Sequence, residues 1–482
     1  MNKQVMSSKM RQYLFIVINL SILLQFLALC SGCSPASSSR VVVCGMTEQG
    51  AVLMSADVER RGDTIHVGQM EAWDDFPPGA LCPQQQIILP SYSPIRRHET
   101  DGVHGWLVAN ANSERLGGTV FRLNWQEGTT QEWFRLPPGD FVLDALWTET
   151  RGWQALAIGG DPVCGNINRN DENWAVRCAM GSGVVYLVDE MGHYAELLPP
   201  DSVRGCGASF SPDGSAVVVA VEEPCMQPPE EGSVRGRLIV VDIDTRQTWT
   251  IPVEEDSFSP RWSPDGTRIA FWSTVEVGSQ ETRSAHPTFL FVNQVRVVEI
   301  QSRQIVALAP SHFSDNDRGG CSFYSLDSVW SPDSSKLMWM CSSWQTGTDR
   351  VRELGLFDFH EEQSIRMDSI REAEGEIGDW NGIGWSPSSE TVVWMYSGYE
   401  LPTEFHFRAL SGEEELTLRP GNSNRNVPWP RWSSDGSLLG WVRATQEEQG
   451  YLDLYVWDSV PISTTVELPA GVEWLDLYWV LE

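Results

Sequence analysis

One phrase recurs along the chain, and each copy is followed by a short apolar run. It reads Phe210-Ser211-Pro212-Asp213-Gly214, Trp262-Ser263-Pro264-Asp265-Gly266 and Trp330-Ser331-Pro332-Asp333-Ser334. It returns as Trp385-Ser386-Pro387-Ser388 and Trp432-Ser433-Ser434-Asp435-Gly436. Self-similarity at such an interval is the mark of a repeat architecture. Ser-Pro-Asp-Gly is turn chemistry: Pro presets φ, Asp suits the next position and Gly takes the left-handed place that closes a hairpin. The aromatic residue before it ends one strand. The run after it starts the next: Ala216 to Val221, Ile269 to Trp272, Leu337 to Met340, Val392 to Met395, Leu438 to Val442.

Those runs are apolar on both sides of the pleat, as a strand sandwiched between two sheets requires. A third strand follows and often ends in an acid, at Asp189, Asp242, Asp358 and Asp458. A fourth ends in Leu or Ile before Pro, at Leu136, Leu198, Ile251 and Leu468, where Pro suits an edge strand. Four antiparallel strands per repeat make a propeller blade, and the chain reads as all-β. Weaker first strands lie upstream at Tyr92 and Trp147. The anchors are then Tyr92, Trp147, Phe210, Trp262, Trp330, Trp385 and Trp432. Three strand-like runs near residues 40–70 and one at Trp474 to Val480 complete an eighth blade. This joins the chain ends and removes the open sheet edges. Eight blades are expected, with seven as the alternative.

These phrases resemble the TolB-like, WD-type β-propeller repeats of bacterial extracytoplasmic proteins, clearest from about residue 205 to 445. The resemblance implies the fold and an exported protein. The peptidases that add a hydrolase domain to a similar propeller need a G-x-S-x-G elbow, and the sequence contains none.

The N-terminus agrees with export. Lys3, Lys9 and Arg11 precede an apolar run from Tyr13 to Leu29, and Ser31-Gly32-Cys33 follows. Residues 1–32 read as a lipoprotein signal peptide resembling a lipobox, with Cys33 as lipid anchor. Residues 33–40 read as a Ser-rich tether, and 41–482 as a single propeller domain. Two other readings compete: an uncut membrane anchor, the run of about 17 residues being at the short limit for spanning, and free secretion. Apart from Cys30 and Cys33, the cysteines are Cys44, Cys82, Cys164, Cys178, Cys206, Cys225, Cys321 and Cys341. An even number in an exported chain favours disulfides, taken here as the four pairs local in sequence, with free buried thiols as the alternative.

The chain carries 34 basic and 65 acidic residues, a net charge of −31 that repels nucleic acid. Its acids cluster between strand runs, as solvated loops do. Asp315-Asn316-Asp317 opens like a calcium loop but lacks the later ligands, and Asn168, Asn170, Asp171 and Glu172 offer only scattered oxygens. His66, His98, His104, His193, His286, His312, His360 and His406 show no metal or catalytic spacing. No catalytic residue, metal ligand or cofactor is assigned. Of the 22 tryptophans, Trp73, Trp174, Trp344 and Trp380 lie in expected loops and are the candidate binding-face aromatics. Together these point to a surface-tethered, non-enzymatic scaffold whose partner is a protein or an envelope polymer. A carbohydrate-active or carbohydrate-binding propeller with its site in the central channel is the alternative.

Overall fold

A computed structural model of the chain describes residues 37–480 apart from 48–49, 62–63, 74–103, 110–117, 125, 138–139, 160–183, 199–204, 222–236, 254–255, 281–287, 309–317, 323–329, 345–349, 373–377, 399–402, 413–414, 420–429, 445–448 and 457–461. Every regular element among them is a strand, and the strands form eight antiparallel sheets. Tyr92, the signal segment, Cys33, Cys82, Cys164, Cys178, Cys225, Trp174 and the loop residues 166–173 and 315–317 lie outside the described residues.

Blade four shows how a repeat is built. Gly205–Phe210 pairs with Ala216–Val221, which pairs with Arg237–Asp242, which pairs with Thr248–Thr250. The second strand is buried on both faces because a neighbouring blade covers each. The fourth is partly or fully exposed, being an edge. Blades five to eight repeat this order from Asp256–Trp262, Arg318–Ser322, Gly378–Trp385 and Arg431–Trp432. Blade three does so from Phe141–Thr148, and blade two contributes His104–Ala109, Gly118–Asn124 and Thr129–Leu136.

The apolar core is a series of seams between blades. One cluster joins Leu156 and Val185 of blade three to Phe210 and Val219 of blade four. Others join blades four and five through Val218 and Phe271, and blades seven and eight through Phe405 and Trp441. Each seam buries aromatic rings worth several kcal/mol apiece by area.

Blade one closes the ring as the sequence leads one to expect. Glu473–Val480 is its first strand and Ser37–Thr47 its second, with Val41 opposite Trp479 and Val43 opposite Leu477. Gly50–Arg61 and Thr64–Val67 complete it. Val41, Val43, Ala56 and Val58 share one buried cluster with Leu438, Val442 and Leu454 of blade eight. Trp474 occupies the space beside Gly45 and Gly450, where any larger side chain would collide with its ring. The second strand begins earlier than expected. Ser37, Ser38, Ser39 and Arg40, read as tether, pair with Arg60, Glu59, Val58 and Asp57. Serine accepts extended geometry readily once a partner strand satisfies its backbone.

Candidate functional site

Each motif turn is a small hydrogen-bonded unit. The Ser211 hydroxyl donates to Asp213 Oδ1 at 2.7 Å and accepts the Ala216 N–H at 2.9 Å. The Ser215 N–H and hydroxyl also donate to Asp213. Ser263 with Asp265, Ser331 with Asp333 and Ser433 with Asp435 repeat the arrangement at 2.6 Å. Burial would raise the Asp213, Asp265 and Asp333 carboxyls. The hydroxyl and N–H groups aimed at them outweigh it and hold all three below the usual carboxylate range. In blade seven Ser388 replaces the acid and meets Ser386 at 3.2 Å.

The residue closing the turn has positive φ in all five copies: 68° at Gly214, 69° at Gly266, 70° at Gly436 and 62° at both Ser334 and Ser389. The two serines are costlier there than glycine, and both are used. Ser334 Oγ accepts the Asp265 N–H at 3.0 Å, and Ser389 Oγ accepts the Asp333 N–H at 3.0 Å. Each bond ties one blade's turn to the turn before it. Gly266 lies against Pro212, and Gly436 against Pro387. The motif turns therefore form a continuous arc on one face of the ring.

The anchors join blades by a second device. Trp262 Nε1–H donates to Ser209 O at 3.2 Å and Trp330 Nε1–H to Arg261 O at 3.2 Å. In both cases the acceptor is the residue before the preceding blade's anchor. Phe210, which has no ring donor, offers its backbone N–H to Asp144 Oδ2 of blade three at 3.0 Å. Trp385 is buried as well, while Trp147 and Trp432 are half-buried. Trp479 Nε1–H donates to Arg431 O at 2.8 Å, the same bond in the same place. Trp479 is thus the eighth anchor, absent from the seven expected. Its signal was the interval: it follows Trp432 by about 47 residues, as Trp432 follows Trp385.

Of the candidate binding aromatics, Trp73 is half-buried, donates its indole N–H to Ser55 Oγ at 3.3 Å, and fills the space beside Gly128 of blade two. Trp344 ends the strand Lys336–Trp344, and Trp380 lies in Gly378–Trp385 opposite Tyr396. Both therefore sit on strands rather than in loops. Cys44 and Cys341 are each disulfide-bonded, and Cys321 lies directly opposite Cys341 in the ladder. Cys206 lies in the first strand of blade four.

Acid–base groups converge at one unexpected place, the outer half of blade seven. The strand Glu404–Ala409 and the strand Glu415–Leu418 present alternate residues to one side, so Glu404, His406, Glu415 and Thr417 meet. His406 Nε2 is 3.3 Å from Glu404 Oε2, and its Nδ1 is 3.2 Å from Glu415 Oε1. The imidazole stacks on Trp394 at 5.7 Å, and Trp394 Nε1–H donates to Asp368 Oδ2 of blade six at 3.2 Å. Blade eight places Asp453 opposite Trp441, as blade seven places His406 opposite Trp394. There Asp453 is held by Arg443 and by the Thr465 hydroxyl. The acids, the imidazole and the threonines of these sets belong to third and fourth strands and Arg443 to a second strand, and none of them to the first strands around the axis. Among the described residues, no three His, Cys, Asp or Glu side chains are grouped to hold a metal ion.

No known protein family and no curated protein matches the chain. Solved structures resemble it at low identity. The dihydro-heme d1 dehydrogenase NirN in complex with DHE is 12% identical over 91% of this chain and 74% of its own, with a TM-score of 0.48. An oligogalacturonate lyase in complex with manganese is 11% identical over 90% of this chain and 97% of its own, with a TM-score of 0.45. TolB from Acinetobacter baumannii is 11% identical over 71% of this chain and 82% of its own, with a TM-score of 0.27. At these values none of them bears on activity. The class is defined by the strand pairing itself: an eight-sheet β-propeller closed by its two terminal strand groups.

Proposed function

We propose that the protein is a non-enzymatic docking scaffold of the cell envelope, exported and tethered through Cys33, whose ligand is a protein or an envelope polymer. The observation that carries this is how the recurring polar residues are used. Motif serines and aspartates bond within their own turns, and the anchor indoles of Trp262, Trp330 and Trp479 bond to the neighbouring blade. The repeat therefore spends its polar groups on a rigid ring, the kind of support on which binding surfaces are carried. Disulfide bonding at Cys44 and Cys341 fits an oxidising compartment. The register that sets Cys321 opposite Cys341 supports pairing of those two.

Two measurements test the reading. Cys33→Ala should abolish fatty-acid incorporation and release the protein from the membrane fraction. The purified full chain should turn over no peptide, glycan or ester. Turnover that survives repurification and vanishes in His406→Ala would replace the scaffold reading with an enzymatic one, because His406 is where an imidazole and two carboxylates meet.

A further inference from the structure

The strand Ser37–Thr47 starts beside the end of Glu473–Val480, since Arg40 lies opposite Val480. In blades four, five, seven and eight the first strand ends at its anchor and runs straight into the motif turn, and in blade six the anchor Trp330 bridges Leu337 just before that turn. Ser37 therefore leaves the ring at the face that carries those turns. Ser37 follows Cys33 by four positions, a reach of at most about 14 Å when fully extended. The thirteen-residue strand Arg268–Gln280 rises roughly 43 Å towards the other face. A lipid on Cys33 cannot reach round to it.

The same face carries an unusual set of exposed side chains across the ring from the tether. Among the described residues, the exposed large hydrophobic ones are Met191, Tyr194 and Val306. Met191, 77% exposed, stands at the tip of the turn between the third and fourth strands of blade three, and Tyr194 follows that turn. Val306 follows the corresponding turn of blade five. Arg246 and Arg303 occupy left-handed positions in the matching turns of blades four and five, both exposed. Of the acids around these turns, Asp244 pairs with Arg151, Glu190 with Arg122 at 3.8 Å and Asp189 with His193, while Arg246 donates to Glu196 O and Arg303 lies over the Trp249 ring. Apolar tips beside arginines suit the boundary between headgroups and acyl chains. In a ring of eight, blade five lies opposite blade one and blades three and four lie between a quarter turn and that point, so tether and tips define a plane.

We propose that this tight-turn face lies flat against the membrane, with the tips of blades three to five in the interface and the opposite face presented outward. The proposal rests on the tethered reading above. It is tested with the full lipidated chain in vesicles of phosphatidylcholine and phosphatidylglycerol containing headgroup-spin-labelled lipid. Fluorophores are placed through Gln301→Cys on the outer turn of blade five, Thr64→Cys on that of blade one, and Gln280→Cys at the far end of blade five. The parent chain, taken through the same non-reducing labelling, supplies the background. Quenching at positions 301 and 64 should be roughly fivefold stronger than at 280, about 40 Å away along the strand. Met191→Asp should reduce quenching at 301 but not at 64. Equal quenching at 301 and 280, or strong quenching at 64 alone as in an edge-on ring, overturns the orientation. Absence of lipid on Cys33, read from the mass of the N-terminal peptide, overturns the tether and this proposal together.

Discussion

In blades four to eight the first and second strands are joined by a motif turn. In blade one they come from opposite ends of the sequence, and no turn connects them. The joint to the preceding blade is nevertheless the same. Trp479 meets Arg431 O as Trp330 meets Arg261 O and Trp262 meets Ser209 O. What blade one lacks is the hydroxyl–carboxylate unit of the turn and the turn-to-turn contact that goes with it. It compensates with ladder: Arg40 to Met46 pair along Glu473–Val480, and Trp474 packs beside Gly45 and Gly450. The anchor therefore makes the joint between blades, while the turn connects strands and stitches the face.

Removing the closure should have the largest effect on the ring. Deleting residues 473–482 strips the first strand from blade one, exposes one side of Ser37–Thr47 and uncovers the seam with blade eight. The whole unfolding transition should broaden and fall, by more than any single substitution achieves, because the ring regains two open edges. Calorimetry of the truncated and full chains decides this. An unchanged midpoint would mean that the closing ladder holds nothing together.

Anchor substitutions should have the next largest effect. Trp479→Ala should cost about 3–5 kcal/mol, and Trp262→Ala and Trp330→Ala a similar amount, since all three remove a buried ring from a seam. Trp479→Phe keeps the apolar contact and forfeits the N–H bond, for about 1 kcal/mol beyond lost area. Denaturant unfolding of the series sharpens the point. A much smaller cost at Trp479 would separate blade one from the rest.

The smallest effect concerns the turns that blade one does without. Ser334→Ala keeps the left-handed backbone and loses the bond to Asp265, and should cost about 1–2 kcal/mol. Ser334→Gly loses the same bond but relieves the backbone, so stability should stay within roughly 0.5 kcal/mol of the parent. If both variants lose the same amount in thermal melts, the serine is kept for its hydroxyl alone.

Much of this was legible in the residues. The turn phrase marked five hairpins, and the aromatic before each marked the seam positions that bury Phe210, Trp262, Trp330 and Trp385. Trp479 escaped notice because its strand ends where a turn would begin, leaving an anchor without its phrase. The His406 cluster was illegible for a different reason. Glu404 and His406 share a strand face by simple alternation, but Glu415 joins them only through the pairing of that strand with its neighbour. Trp394 and Asp368 arrive from another strand and another blade.

Local chemistry determined the repeat: residues that prefer a left-handed turn, an apolar run beyond it and an aromatic before it act over a few positions and can be read in order. Blade closure, the register that sets Arg40 opposite Val480, and the face at which Ser37 leaves the ring depend on contacts between opposite ends of the chain. Those contacts form only when eight blades have been brought round a common axis. Only the tertiary structure could decide them, because the free energy that selects them lies in burying the seams and pairing the last two edges.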